Sequence, residues 1–241
     1  MTLVAGFRSR NGGVLLCSDR EEGDGYSKRE VDKITTISLQ QCKVFIAGAG
    51  PTAIITKAYT QFAETLQTAE GDGVDLETDH RSLLERSLER VYDRYVLSSD
   101  YEVGLLIVVA FHAFKASHPP PPLMYRTEGR MLLPAGTYAA CGTGKVIADY
   151  LADRLYRHGM ERTNLWVLAA FIFREASNAS AGVGLGTDMI LIFDGDRLMR
   201  SAGQDVVKEL QSDIPPLADS LYAHWGQGVN VPDALLDKPT K

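Results

Sequence analysis

Short apolar runs alternate along this chain with pairs of long amphipathic segments, an order that strongly restricts the folds open to it. Residues 3–7 and 13–18 flank Asn11-Gly12, the dipeptide that most favours a tight hairpin turn with positive φ. The chain is therefore expected to open with a β-hairpin. After a polar stretch over residues 21–29, the runs 34–39 and 42–47 suggest a second strand pair and a first sheet that is mainly antiparallel. From Thr52, the residues Ile54, Ile55, Ala58, Tyr59, Phe62 and Leu66 recur at helical spacing and stop at the Gly71-Asp72-Gly73 turn. Leu84, Leu88, Val91, Tyr92 and Tyr95 mark a second helix, so the two are expected to form one layer on a sheet.

Strands return at residues 103–111, 123–126, 131–133 and 137–141, punctuated by Pro119 to Pro122 and by Glu128-Gly129, and these predict a second sheet. Ile147, Leu151 and Leu155 define a third helix, while residues 165–173 are apolar all round, as in a buried fourth helix. Residues 189–193 and 198–200 predict a last hairpin turned at Asp194-Gly195. The sum is an α+β fold of two mainly antiparallel sheets with helices outside. Neither a linker nor an internal repeat divides the chain. A single domain over residues 1–241 is expected, with its core at about 2–200 and a C-terminal appendage at about 205–241.

The balance of charge narrows the partners. Net charge is −6 with scattered basic residues, so nucleic acid and anionic membrane surfaces are not expected partners. The longest apolar stretches fall short of the roughly 20 residues that span a bilayer, and Arg8, Arg10 and the Asn11-Gly12-Gly13 turn interrupt any secretion signal, so a cytoplasmic location is expected. Cys17, Cys42 and Cys141 each sit in an apolar run and read as buried thiols rather than disulfides. The five histidines show no metal-ligand spacing, and neither a metal nor another cofactor is expected.

Two glycine corners invite a nucleotide reading. Gly48-Ala49-Gly50-Pro51-Thr52-Ala53 follows a strand and opens a helix, but a turn between helices stands where a dinucleotide fold requires a crossover strand and an acidic residue. Cys141-Gly142-Thr143-Gly144-Lys145 lacks both the first glycine and the final Ser/Thr of a phosphate loop. What remains at each is a strand-to-helix corner with exposed backbone N–H groups.

Thr2 carries more chemistry than its position suggests. Removal of Met1 would leave a hydroxyl and a free amine on one residue, a nucleophile and its base together. An α-amine titrates at about 7.7 to 8.0, so a small downward shift makes it a working base. It needs a nearby cation to hold it neutral, and that cation needs a carboxylate; Asp19 at the end of the second strand and Lys33 before the third are the candidates.

Taken in order, Thr2-Leu3-Val4-Ala5-Gly6, Gly13 to Arg20 with Ser18-Asp19-Arg20, Lys33-Ile34, Ile46-Ala47-Gly48-Ala49-Gly50 and Cys141-Gly142-Thr143-Gly144 resemble the motifs of proteasome β-type subunits and their bacterial relatives. The resemblance covers roughly residues 2–200 and implies the four-layer αββα fold of N-terminal nucleophile hydrolases. It implies Thr2 as nucleophile, its amine as base, Lys33 as the tuning cation, Asp19 as the partner of Lys33, the Gly48 N–H as oxyanion donor, and Thr143 as the hydroxyl beside the terminal amine. By the same correspondence Val31, Thr35, Ile46 and Gly50, with Ile54, would line an apolar pocket for the residue preceding the cut bond. The family's downstream Asp-x-x-Ser-Gly pattern has no counterpart in residues 175–184, where Asn178, Ser180 or neither takes its place.

The expected activity is that of a threonine-type peptidase or amide hydrolase acting on a peptide or protein, in a chain that assembles with itself into a ring or related oligomer. Two rivals remain open: a structural subunit that keeps Met1, and a small-molecule amidase on the same scaffold.

Overall fold

The computed structural model describes residues 2–23, 28–95, 103–112, 120–184, 186–193, 200–202 and 204–213. In chain order they form β1 (Leu3–Arg8), β2 (Val14–Asp19), β3 (Glu21–Gly23), β4 (Lys28–Glu30), β5 (Ile34–Ser38), β6 (Cys42–Ala49), α1 (Thr52–Gly71) and α2 (Leu76–Tyr95). There follow β7 (Gly104–Phe111), β8 (Leu123–Glu128), β9 (Met131–Pro134), β10 (Tyr138–Gly142), α3 (Lys145–Leu155), α4 (Arg162–Ala179), β11 (Thr187–Ile192), β12 (Arg200–Ala202) and α5 (Gln204–Asp213).

One five-stranded sheet runs β10-β1-β2-β11-β12, a second runs β5-β6-β7-β8-β9, and a small ribbon pairs β3 with β4, all antiparallel. Three apolar interiors stack through the layers. Val4, Leu16, Phe45, Leu106 and Val108 fill the space between the two large sheets. Phe62, Leu66, Leu84 and Leu88 of α1 and α2 cover the outer face of the second sheet against Ile46, Leu105 and Ile107. Leu151, Leu165, Ala169 and Phe173 of α3 and α4 cover the outer face of the first against Leu3, Ala5 and Leu15. The four-layer αββα arrangement follows from strands buried on both faces: alternate residues of β1 go to opposite interiors, with Val4 inward and Leu3 and Ala5 toward the helices.

Sheet membership departs from the expectation. The hairpins β1–β2 and β5–β6 lie in different sheets, β7 to β9 extend the second, and β10 returns to pair with β1, Leu3 opposite Gly142. Because strands of both sheets are apolar on both faces, no local pattern distinguishes one sheet from the other; the pairing is settled by contacts far apart in sequence. The first turn is also looser than a two-residue one. Arg8 pairs with Val14, and the loop between them is closed by Ser9 N–H to Gly13 O at 2.8 Å and Gly12 N–H to Ser9 O at 3.1 Å, with Gly12 at φ +82°.

Part of the polar stretch 21–29 is strand, the β3–β4 ribbon. Its alternation is hidden because Lys28, Arg29 and Glu30 are all exposed. Helix α2 starts at Leu76, earlier than its apolar spacing suggested, capped by Asp75, whose Oδ1 accepts from the Glu77 N–H at 3.1 Å. α5 lies along α4, Arg174 Nη1 donating to Gln211 O at 2.8 Å and Gln211 Nε2 to Ala170 O at 3.4 Å. The expected Asp194-Gly195 turn and the residues after Pro215 lie outside the described residues. Among the described residues no helix is long and apolar enough to cross a membrane.

Candidate active site

The ends of β1, β2, β10 and the segment entering β5 converge on Thr2. Strand β1 is clamped between β2 and β10, and this fixes Thr2 beside Asp19 on one side and the Gly142-Thr143-Gly144 corner on the other. Thr2 is 4% exposed and Asp19 1%. The Thr2 hydroxyl donates to Asp19 Oδ1 at 2.5 Å, and Lys33 Nζ reaches both Thr2 Oγ1 and Asp19 Oδ1, the latter at 2.9 Å. The ammonium is further held by the Glu21 carbonyl at 2.5 Å.

Asp19 is heavily solvated by protein. Its Oδ1 also accepts from the Leu3 N–H at 2.8 Å, and its Oδ2 from the N–H groups of Glu21 at 3.1 Å and Gly184 at 3.4 Å. These backbone donors fix the Asp19 carboxylate in place, where it pairs with Lys33 Nζ. Burial pushes the Lys33 pKa down from its ordinary 10.5, with Asp19 opposing. A lysine so placed holds its proton less tightly than a free one, which suits it to lower the cost of forming a threonine alkoxide.

On the other side the Thr2 nitrogen donates to Thr143 Oγ1 at 3.2 Å, and the Thr2 carbonyl is reached by the Thr143 hydroxyl at 3.3 Å and the Gly144 N–H at 3.4 Å. Gly142, at φ +97°, is what permits this approach: a Cβ there would stand 2.2 Å from Thr2 O. Gly48 is constrained too, since its Cβ would meet Ile55 Cγ2 at 2.6 Å and the Tyr59 hydroxyl at 2.9 Å. That same hydroxyl donates to Lys33 O at 3.1 Å, so α1 ties the Gly48 corner to the Lys33 backbone.

The direction of the Gly48 N–H follows from the ladder. Gly48 faces Leu105, whose own N–H turns away from β6 to Thr127 Oγ1 at 2.8 Å. The pair is therefore a non-hydrogen-bonded one, and Gly48 directs its N–H to the opposite side, beyond Ile34, where the β5 ladder ends. That is the side of Lys33.

Thr2, Asp19, Lys33 and Thr143 thus come together, with Gly48 bordering them. Of the residues expected at the substrate pocket, Thr35 is half-buried on β5 directly opposite Ile46, which is fully buried against α1. Val31 is half-buried and donates its N–H to Arg20 O at 2.9 Å, and Gly50 is exposed at φ +128°. In residues 175–184 the contact with the site is made by the Gly184 N–H; Asn178 is exposed, and the Ser180 N–H closes the end of α4 on Ala176 O at 2.9 Å. The contributions of the Glu21 carbonyl, the Gly184 N–H and the small size of Gly142 went unseen because backbone groups leave no residue-type signature; the glycine at 142 was the one available signal. Cys17 and Cys42 are buried, and burial pushes the Cys42 thiol up to about 12 and Cys17 well up. Among the described residues no group of three or more His, Cys, Asp or Glu is placed to hold a metal ion.

The layering of helices outside two stacked antiparallel sheets is that of the N-terminal-nucleophile-type fold. Solved structures with this fold include Anbu (ancestral beta-subunit) from Yersinia bercovieri, with a TM-score of 0.74 at 13% identity over 95% of this chain and 99% of that one. A Gly-1 mutant of Anbu from Hyphomicrobium sp. strain MC1 gives 0.73 at 14% identity over 96% and 100%, and the helical assembly of the Anbu complex from Pseudomonas aeruginosa gives 0.74 at 13% over 97% and 99%. No family model matches the chain, and no curated protein matches it. The resemblance to proteasome β-type subunits read from the sequence is corrected accordingly: the structural neighbours are Anbu proteins, and the likeness is one of fold.

Proposed function

We propose that this chain is a threonine-type amide hydrolase acting on peptides, with Thr2 as nucleophile once Met1 has been removed. The observation that carries the reading is the largely buried Lys33 ammonium set between the Thr2 hydroxyl and Asp19. A lysine costs free energy to bury, a cost that shows as the lowering of the Lys33 pKa.

The chemistry runs as follows. The freed amine of Thr2 takes the hydroxyl proton as Oγ1 attacks the substrate carbonyl carbon, and Lys33 steadies the developing alkoxide. Negative charge passes to the carbonyl oxygen, where the Gly48 N–H donates; a donor of this kind is typically worth about 2.7 to 4 kcal/mol in the transition state. Collapse breaks the C–N bond, the leaving amine takes the proton from the Thr2 ammonium, and an ester on Oγ1 remains. Water then attacks that ester, passing its proton to the amine; as the C–Oγ1 bond breaks the ammonium returns a proton to Oγ1, and the acid and free Thr2 are released. The Thr143 hydroxyl holds the nitrogen in position throughout.

An uncharged, apolar residue is favoured before the cut bond, since a charge beside the half-buried Thr35 would find no partner. The single-domain reading over residues 1–241 belongs to this proposal. So does self-assembly, which the helical assembly of the Anbu complex supports. Intact mass of the purified chain together with turnover of a peptide amide by the native chain and by Thr2→Ala tests the reading. Loss of Met1 and loss of turnover in the variant are expected. Retained Met1, or equal turnover, overturns it.

A further inference from the structure

The β3–β4 ribbon comes to the nucleophile through the Glu21 carbonyl, which accepts from Lys33. Successive side chains of a strand point to opposite sides. Glu21 turns its carboxylate to Lys28 at 2.8 Å, on the Gly184 side, whereas Glu22 turns its own to the first turn of α1, where Thr52 donates to Oε1. The Glu22 side chain therefore bridges from β3 to the corner that carries Gly48, near enough for its charge to interact with that of Lys33.

Its two oxygens are held very differently. Oε1 is fixed by Thr52, while Oε2 is met by Arg29, whose side chain is 71% exposed against 17% for Glu22. The Arg29 side chain lies mostly in solvent, so a second cation can reach Oε2 from the same side. The carboxylate itself stays put and charged. Hydrogen bonds from Arg29 and then Thr52 hold its pKa below the ordinary value, and α1 brings no acidic residue of its own in its first turn and no side-chain cap at Pro51, so Glu22 supplies the negative charge at that helix end.

We propose that Glu22 is a specificity residue of this site, its Oε2 receiving a lysine or arginine side chain of the peptide on the acyl side of the cut bond and displacing Arg29. This rests on the hydrolase reading above. Glu22 lies one residue, about 3.8 Å between Cα atoms, from the carbonyl that holds Lys33, so the favoured cation belongs within about three residues of the one whose carbonyl is attacked. Arg29 occupies, within the chain, the place of that substrate cation.

The test is a set of peptide amides with an apolar residue before the cut bond and either arginine or norleucine at each of the three preceding positions. With the native chain, one position is expected to favour arginine about tenfold or more in kcat/KM, as befits a charged hydrogen bond in a half-enclosed site. In Glu22→Gln that ratio falls to within about twofold. In Arg29→Ala, an exposed change that frees Oε2, it rises, a response that a merely structural role for Glu22 does not produce. No arginine preference at any position, or a preference that survives Glu22→Gln, overturns the inference while hydrolysis of the norleucine peptides leaves the hydrolase reading standing. Absence of hydrolysis of every peptide by a chain that has lost Met1 overturns both.

Discussion

Gly142→Ala should separate the geometry of the nucleophile from the stability of the fold. The new Cβ would stand 2.2 Å from the Thr2 carbonyl oxygen, 2.9 Å from its carbon and 3.1 Å from Ala49 Cβ, where ordinary contact begins at 3.4 Å. The first of these overlaps is therefore more than 1 Å, and it is with backbone that cannot swing aside. Gly142 is paired with Leu3, so relief must come from displacing Thr2 itself or from spreading β1 from β10. Misplacing a reacting group by about 1 Å costs roughly 10²-fold in rate.

The control is Gly129→Ala. Gly129 also has positive φ, +56°, but no atom lies within 4 Å of its would-be Cβ. Both variants carry the left-handed backbone cost of about 1 to 2 kcal/mol, which for a chain of this size lowers Tm by about 2 to 8 °C. Only Gly142→Ala carries the clash. Turnover of a peptide amide and thermal unfolding of both variants decide the matter: Gly142→Ala is expected to lose about 100-fold in kcat/KM, and Gly129→Ala to keep turnover near that of the native chain. Equal turnover in the two would refute the placement of Thr2 against Gly142.

Replacing Lys33 by methionine removes the cation from a carboxylate that is almost wholly buried, and turnover should fall by roughly 10² to 10⁴-fold. Stability should fall as well, by less than the about 3 to 5 kcal/mol typical of a broken buried pair, because three backbone N–H groups still serve Asp19; chemical denaturation measures it. The pH profile of kcat/KM should be bell-shaped, rising on the acid side as the Thr2 amine deprotonates below its ordinary range of about 7.7 to 8.0, because the neighbouring Lys33 cation disfavours a second positive charge. On the alkaline side it should fall at a pH below 10.5, because burial lowers the Lys33 pKa; a plateau persisting beyond 10.5 would contradict the role given to Lys33. In the helix-side core, His80 Nδ1 meets Leu76 O at 2.9 Å, and its Nε2 accepts from the Tyr125 hydroxyl at 2.8 Å. Burial lowers the His80 pKa from 6.5, so below that pH the unfolded chain binds more protons and stability falls. His80→Gln should flatten the fall in Tm between pH 7 and 5, and an unchanged slope would exclude His80 as its source.

The elements themselves were readable where physics is local. The helical spacing from Ile54 to Leu66 gave α1, and Asn11-Gly12 marked the first hairpin, because period and turn chemistry are properties of neighbours in sequence. Sheet order was not readable: β1 meets β10 across some 140 residues, and apolar runs such as Val44 to Ala47, buried on both faces, do not say which sheet they join. The site divides the same way. Thr2, Asp19, Lys33 and Thr143 carry chemistry in their side chains and stood out, whereas the Glu21 carbonyl and the Gly184 N–H act through groups that every residue possesses. The ribbon that brings Glu22 to α1 was hidden for a third reason, since three exposed charged residues in a row read as loop.

The most direct measurement is peptide mapping by mass spectrometry after brief incubation with an apolar peptide thioester, a substrate that acylates faster than its amide. A chain beginning at Thr2 and carrying the acyl group on that residue is the expected result. A chain that still begins with Met1 and carries no acyl group, or one acylated elsewhere, would contradict the assignment of Thr2 as nucleophile.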